Sequence, residues 1–594
     1  MAADENGSIS LCMIVKDEEK RLPACLGSVR GIADEIIVVD TGSSDHTVRT
    51  AERFGAKVFR VPWRDSFAEA RNDALDRAEK DWILVMDADE VLEREDREHL
   101  LAAARNGEAD VYCGRTLCYS GGGVLINRNV RLIRNKRGFR YRGRVHEQLV
   151  RRVNGREAPF RMADAEIRFH HYGYLLDCIR EKNKHGRNTA LIAMELADHP
   201  GDPFMLFCLG NEYFCTGETE KALACYRQSL AATDLSQNYA PALLVRLVMC
   251  CDVLRRDSEL FRYVRIGLRR CPDLTDLVFL RGNALLRRNR LNAAARAYLA
   301  CVRMGDPPDG ASSVLGVGSF LPELALADVY GRLGENGKAL KHCARALQAC
   351  PGLTRAAERA ADLLLRQGRS VRSAAKRLCG MVPESAASRR MLSGVWYERN
   401  AFREAMRLAA RAEELEPGCA EDRYRQGMCA FRLRKYRRAY ALFDGVPEGS
   451  LRRDAVWMRF FCAELAPASA GRRRGALRGL SGPRLAAARA YRALLRGKSP
   501  GSPVFPGENP AACAEAVFDL LEALLAVGEK ERFRQALALV EPIAEKGTLL
   551  RLGKLYHRFG CAGEAFRTLE QAIRTGGTMD AEGLRMLAED FGSV

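Results

Sequence analysis

The chain has 594 residues, 47% of them hydrophobic and 29% charged, with a formal net charge of +18. That length exceeds one hydrophobic core and predicts two or more domains, and the composition excludes a disordered polymer. No apolar run approaches the ~18 residues of a membrane span, and "ALLVRLVMCC" is interrupted by Arg246. The acidic, polar opening "MAADENGSIS" does not read as a signal peptide. Lysines and arginines are spread over helices beside glutamates, without an aromatic–basic motif, so no specific nucleic-acid partner is expected. The twenty cysteines lack CxxC or zinc spacing. They read as reduced core thiols of a cytoplasmic protein, with Cys208 and Cys343 on apolar helix faces.

The first ~175 residues alternate strands with helices: "SISLCMIVK" (strand), "LPACLGSVRG" (helix), "ADEIIVVD" (strand), "HTVRTAERFG" (helix), "AKVFRVPW" (strand), "SFAEARNDALDRAEK" (helix) and "DWILVMDADE" (strand). This rhythm predicts an α/β domain with a mostly parallel sheet whose ligands gather at the strands' C-terminal ends. Four strand ends carry chemistry. After the first comes "KDEEKRL", where Lys16 and Glu18 are candidate donor contacts, although Asp17 and Glu18 also suit a helix N-terminus. The absence of GxGxxG there argues against a dinucleotide. After the second comes Asp40, with no evident local role and a carboxylate suited to the imide N–H of uracil or a ribose hydroxyl. Asp45 reads as a helix cap. Arg71, on an amphipathic helix, suits a diphosphate. At the fourth end stand Asp87, Asp89 and Glu90. Three carboxylates crowded there predict a divalent cation, with Asp87 and Asp89 converging on it as residues i and i+2 of extended or turning chain.

From about residue 203 the pattern changes to successive helices. "LGNEYFCTGETEKALACYRQSL" places Leu209, Gly210, Tyr213, Ala222 and Tyr226 at the offsets of a 34-residue helical hairpin. The offsets return with Ala327, Tyr330, Ala339, Ala346 and Pro351, with Gly427, Ala439 and Phe443, and with Gly553, Tyr556 and Ala565. Weaker copies contain Gly282 and Tyr298, and Trp396 and Ala405. Small residues should let paired helices approach while aromatics fill the gap to the next hairpin. These repeats resemble a tetratricopeptide solenoid, a concave cradle for a protein or peptide.

"MIVKDEE", "IIVVDTGSSDHT", "ARNDAL" and "WILVMDADE" together resemble family 2 glycosyltransferases of the GT-A fold. The resemblance implies a Rossmann-like nucleotide-diphospho-sugar transferase domain over residues 1–200. An all-α tetratricopeptide superhelical solenoid would follow over 201–594, with an irregular insertion around 466–510. It also implies an inverting, metal-dependent transfer from a nucleotide-diphosphate donor, expected to be a UDP-sugar, using Mn²⁺ or Mg²⁺. By the same resemblance, Asp40 matches the nucleobase contact, Arg71 the basic residue near the phosphates, and Asp87 and Asp89 the metal-binding DxD.

"VRLIRNKRGFRYRGRVHEQL" and "IRFHHYGYLLD" resemble a branch that includes tetratricopeptide-fused enzymes, relatives of lipopolysaccharide-core glucosyltransferases and bacteriocin S-glycosyltransferases. Glu147 is the first candidate base and His146 the second. His171 is a candidate metal ligand, with His170 the alternative if the strand register shifts by one. The basic run Arg128–Arg144 flanks the pocket and would attract phosphates or an anionic acceptor. Every donor contact is expected before residue 175, leaving the repeats to recruit a protein, peptide or glycan acceptor. A fragment ending near Asp198 should then keep the donor site. The rival readings are an inactive repeat scaffold and a sugar-nucleotide nucleotidyltransferase. The latter would need a glycine-rich loop that "MIVKDEEKRL" lacks.

Overall fold

The computed structural model describes residues 7–120, 123–172, 184–307, 313–466, 475–498, 505, 509–543, 547–575 and 579–591. The chain forms two compact units, Met1–His342 and Cys343–Val594. Among the described residues no helix is long and apolar enough to cross a membrane, and every described cysteine is a free thiol.

The first unit is built on a mixed sheet. Strands β1 (Ile9–Val15), β2 (Glu35–Asp40), β3 (Lys57–Arg60) and β4 (Trp82–Val85) run parallel in the order β3-β2-β1-β4. Their near-continuous apolar sequences suit strands covered on both faces. Beyond β4 the sheet departs from the mostly parallel expectation. β7 (Gly123–Arg134) pairs antiparallel with β4 and with β6 (Val111–Ser120). β6 pairs parallel with β11 (Met162–His171), which pairs antiparallel with β5 (Glu90–Leu92). The "DWILVMDADE" segment is therefore not one strand. β4 ends at Val85, Asp87 to Asp89 lie in the connection, and Glu90 opens β5. Asp87 and Asp89 sit in a turn, one of the two conformations, extended or turning, that the i, i+2 reading allowed.

The helical hairpins follow the predicted offsets. A Cβ placed on Gly282 or Gly427 would lie 2.6 Å from the ring of Tyr298 or Phe443, and Gly210 faces Tyr226 in the same way. In each case the glycine lies on the first helix of a hairpin and the ring on its second. The aromatic thus closes its own hairpin, and Tyr298 also shares a buried cluster with Leu326 and Val329 of the next one. The phenol hydroxyls of Tyr226 and Tyr298 donate to Asn211 (2.9 Å) and Asn283 (2.8 Å), so the local solution repeats. In the second unit paired helices continue from Thr354 to Phe591. The described part of the 466–510 stretch includes a further helix, Gly482–Leu494.

The first helices after the sheet domain are packed into it. Leu191 and Ile192, on the helix Lys184–Asp198, share a buried cluster with Val145 and with Met205, Phe207 and Tyr226 of the next hairpin. A short strand, β12 (Ser313–Val314), returns from between later helices and pairs antiparallel with β7. Buried Asp276 holds it by accepting hydrogen bonds from Ser313 Oγ (2.7 Å) and Val314 N (3.0 Å). A fragment ending at Asp198 would therefore expose Val145, Leu191 and Ile192 and leave β7 without β12. We expect that fragment to aggregate, whereas one ending at Gly352, beyond the whole first unit, should remain soluble. Size-exclusion chromatography and thermal melting check this. A monomeric 1–198 fragment with a cooperative melt would contradict it.

Candidate active site

A cavity of about 1160 Å³ opens at the C-terminal ends of β1 and β4, the position expected for a ligand in an α/β sheet. Its walls include Lys16, Arg71, Asp87, Asp89, Glu147 and His171. Residues distant in sequence meet here because the parallel strands end at one edge and β11 brings its last residue beside Glu90 and Cys118.

Each acid of "DADE" has its own cationic partner. Glu90 is buried and takes a paired hydrogen bond from Arg131 (2.6 and 2.7 Å), and it also accepts the Asp87 backbone N–H (3.0 Å). Arg131 further donates to Thr116 Oγ1 (2.6 Å) and lies over the Phe169 ring. This pair fixes the Asp87 turn to the sheet. Glu90 is thus a structural anchor, a role the acidic cluster alone did not disclose.

Asp87 accepts from Arg71 Nη2 at 2.9 Å, and Arg71 Nε donates to Glu147. The enclosing protein opposes ionisation of Asp87, but Arg71 outweighs it and holds the carboxyl below its usual range, against the repulsion of Asp89. Asn72 clamps β8 (Phe139–Arg142) by exchanging two hydrogen bonds with the Tyr141 backbone (2.8 and 2.9 Å), keeping Glu147 within reach of Arg71. Asp89 lies 3.3 Å from His171 Nε2. Burial disfavours charge on His171, yet its bonds with Asp89 and Cys118 push its pKa up to about 10.

The two histidines of β11 lie on opposite faces of the strand. His171 faces the cavity, whereas His170 points to the other side of β11, bonded to Glu93 (2.9 Å) and the Tyr119 hydroxyl (2.7 Å). Gly173 and Tyr174 of the "HYGY" stretch lie outside the described residues.

Asp87, Asp89 and His171 offer two carboxylates and an imidazole, a donor set suited to Mn²⁺ or Mg²⁺. The 3.3 Å between the Asp89 oxygen and His171 Nε2 is close to the ~3 Å edge joining adjacent ligands at ~2.1 Å from one ion. Among the described residues no group of three His, Cys, Asp or Glu side chains is placed to hold a metal ion. Asp89 and His171 are adjacent, whereas Asp87 is paired with Arg71.

Other expected contacts are placed differently. Asp40 is buried, and its carboxylate accepts the backbone N–H groups of Gly42 (3.3 Å) and Ser43 (3.2 Å). The expectation that it lacks a local role is corrected: it shapes the turn after β2. Asp17 and Glu18 do not cap the helix Leu22–Ser28, whose N-terminus has no side-chain cap. Instead, Asp17 accepts from Ser44 N (2.7 Å), and the Glu18 N–H donates to Thr47 Oγ1 (2.7 Å), joining two cavity loops. The N-cap position of the helix Thr47–Arg53 is His46, and Asp45, one residue earlier, accepts from Thr47 N at 2.9 Å and from Glu19 N at 3.1 Å.

The basic run is largely occupied. Arg128 pairs with Asp164, Arg131 with Glu90, Arg140 with Asp76, Arg142 with Glu157 and Arg144 with Asp198. Lys16 and Arg187 are the cavity cations with no carboxylate in ion-pair reach among the described residues. Arg187 lines the cavity although it lies past residue 175. Its helix is held because His185 and Asn188 bond to Glu212 (2.6 and 2.9 Å) on the next helix. Nothing in the local sequence marks Arg187, because its position depends on that helix packing beside the sheet.

His146 adopts a left-handed backbone (φ 52°), a conformation that an L-residue keeps only where its surroundings impose it. Its ring is accessible within the cavity, and the enclosing protein lowers its pKa, with Glu212 and Glu147 opposing.

Residues 10–166 match the family model described as Glycosyl transferase family 2. The N-terminal sheet domain is a family 2 glycosyltransferase domain. The chain is also similar to a TPR repeat-containing protein of Synechococcus elongatus, 36% identical over 226 residues, covering 37% of this chain and 56% of that relative. It thus spans little more than half of that relative's length. The SPbeta prophage-derived glycosyltransferase SunS of Bacillus subtilis is 26% identical over 285 residues, covering 47% of this chain and 67% of its own. An uncharacterized glycosyltransferase of Rickettsia bellii is 39% identical over 128 residues, covering 20% of this chain and 40% of its own. The glycosyltransferase domain and the helical repeats thus share one chain.

Proposed function

We propose that the first unit binds a nucleotide-diphospho-sugar, a UDP-sugar in the simplest reading, and transfers the sugar with inversion to a protein, peptide or glycan acceptor. The observation that carries this reading is the meeting of Asp87, Asp89 and His171 with the carboxylate-free cations Lys16 and Arg187 around one cavity. Asp87, Asp89 and His171 would hold Mn²⁺ or Mg²⁺, which when bound supplies charge neutralisation for the departing diphosphate. Arg187 and Lys16 add positive charge to the diphosphate side, and Arg71 orients Asp87. Asp40 acts on the nucleoside end through the turn it shapes.

The acceptor must lose a proton as its oxygen, nitrogen or sulfur attacks the anomeric carbon. His146 is the better base, reversing the order read from sequence. Its ring has no hydrogen-bond partner among the described residues, and its lowered pKa keeps it neutral and able to take the proton. Glu147 is already bound to Arg71 and acts as a positioning residue.

Two variants separate these roles in the full chain, assayed with UDP-, GDP- and TDP-sugars in Mn²⁺ and in EDTA. His146→Gln should keep donor binding and lose transfer by about 10² or more. Glu147→Gln should weaken donor binding, because Arg71 and Asp87 lose their alignment. Full transfer by a folded His146→Gln protein would remove it as the base. Failure of every nucleotide sugar to bind would remove the transferase reading itself.

A further inference from the structure

A second cavity, of about 560 Å³, is lined wholly by residues of the other unit and shares none with the transferase cavity. Its walls come mainly from the second helices of three successive hairpins, Val371–Cys379, Phe402–Leu415 and Tyr436–Asp444. The first helices of these hairpins contribute Arg389 alone. Six cations line it: Lys376, Arg389, Arg403, Arg407, Arg411 and Arg438.

Its two acids, Glu384 and Glu414, are both bound by Arg411, at 2.7 and 3.0 Å, and Arg407 is taken by Glu404 at 2.8 Å. Lys376, Arg389, Arg403 and Arg438 have no carboxylate in ion-pair reach among the described residues. Arg389 is the unusual member, because its residue is only 9% exposed and its one hydrogen bond is a long 3.5 Å contact to the Cys379 carbonyl. A buried guanidinium is costly without an anion, and here the fold leaves space for one instead of closing over it.

We propose that this cavity is a binding site for a compact ligand bearing two or more phosphate groups. Five of its six cations are arginines, whose planar forks match phosphate oxygens pairwise. The enclosed volume suits a small polyanion better than an extended acidic peptide. Arg389 forms the floor, and Arg403, Arg438 and Lys376 close on the ligand from the exposed rim.

Hydrogen exchange on the full chain with inorganic pyrophosphate tests the site, because its readout is local to each unit. Pyrophosphate should protect amides within 371–415, and the protection should weaken as salt rises. In the double variant Arg403→Gln/Arg438→Gln, both exposed and without carboxylate partners, affinity should fall about tenfold or more. Arg389→Gln serves as a second variant, with its melting temperature measured alongside to confirm folding. Vesicles containing phosphatidylinositol bisphosphate form a parallel arm. Protection by vesicles in place of free pyrophosphate assigns the phosphates to a lipid headgroup. Protection confined to the first unit, protection unchanged in the double variant, or tighter binding of poly-glutamate than of pyrophosphate would each overturn the assignment.

Discussion

Asp89→Ala is expected to lower metal-dependent transfer by about 10² to 10³, the scale of losing one group that stabilises developing charge. The aspartate would contribute one of two carboxylates to the proposed metal site, and its removal also frees His171 from its 3.3 Å partner. The fold should survive, because Glu90 and Arg131, not Asp89, tie the turn to the sheet. A second signature follows from His171. Without metal its pKa is raised to about 10, so a cation must displace that proton. Metal affinity of the wild-type protein should therefore rise with pH, by about tenfold per unit below 10 for one released proton. Isothermal titration with Mn²⁺ at several pH values measures this alongside turnover. Undiminished turnover of a folded Asp89→Ala protein, insensitive to EDTA, would refute the metal site.

Arg71→Ala should be the most damaging single change to the site. Its guanidinium bridges Glu147 and Asp87, and its side chain is only 14% exposed. Alanine leaves two carboxylates facing each other without their shared counter-ion, a loss of about 3 kcal/mol for a largely enclosed pair. Asp87 is half open to the cavity, which keeps the figure at the low end of what buried pairs show. Donor affinity and turnover should fall together, since both Asp87 and the "HE" segment are released. Arg71→Lys should rescue little, because an ammonium lacks the fork that reaches both carboxylates. Denaturant unfolding together with donor titration checks both parts. A stable Arg71→Ala protein that binds donor normally would show the bridge to be incidental.

Sequence by itself determined the order of elements and the kind of domain. Buried parallel strands need continuous apolar runs, and hairpins need a small residue facing a large one sixteen positions later. Both demands are local and leave a direct trace in "EIIVVD" and in Gly282 and Tyr298. The same locality exposed Asp87, Asp89 and His171 as candidates. What only the tertiary structure decided is who partners whom. The three acids of "DADE" looked like one cluster awaiting a cation, but Arg71, Arg131 and His171 arrive from elsewhere in the chain and divide them. Asp40 looked free because the backbone N–H groups that occupy it are present in any sequence and become donors only in the folded turn. The strand β12 reaches the sheet domain from helices that read as a separate module. A repeat pattern specifies how a hairpin closes on itself and says nothing of the surface it meets, since that surface is built by residues more than a hundred positions away.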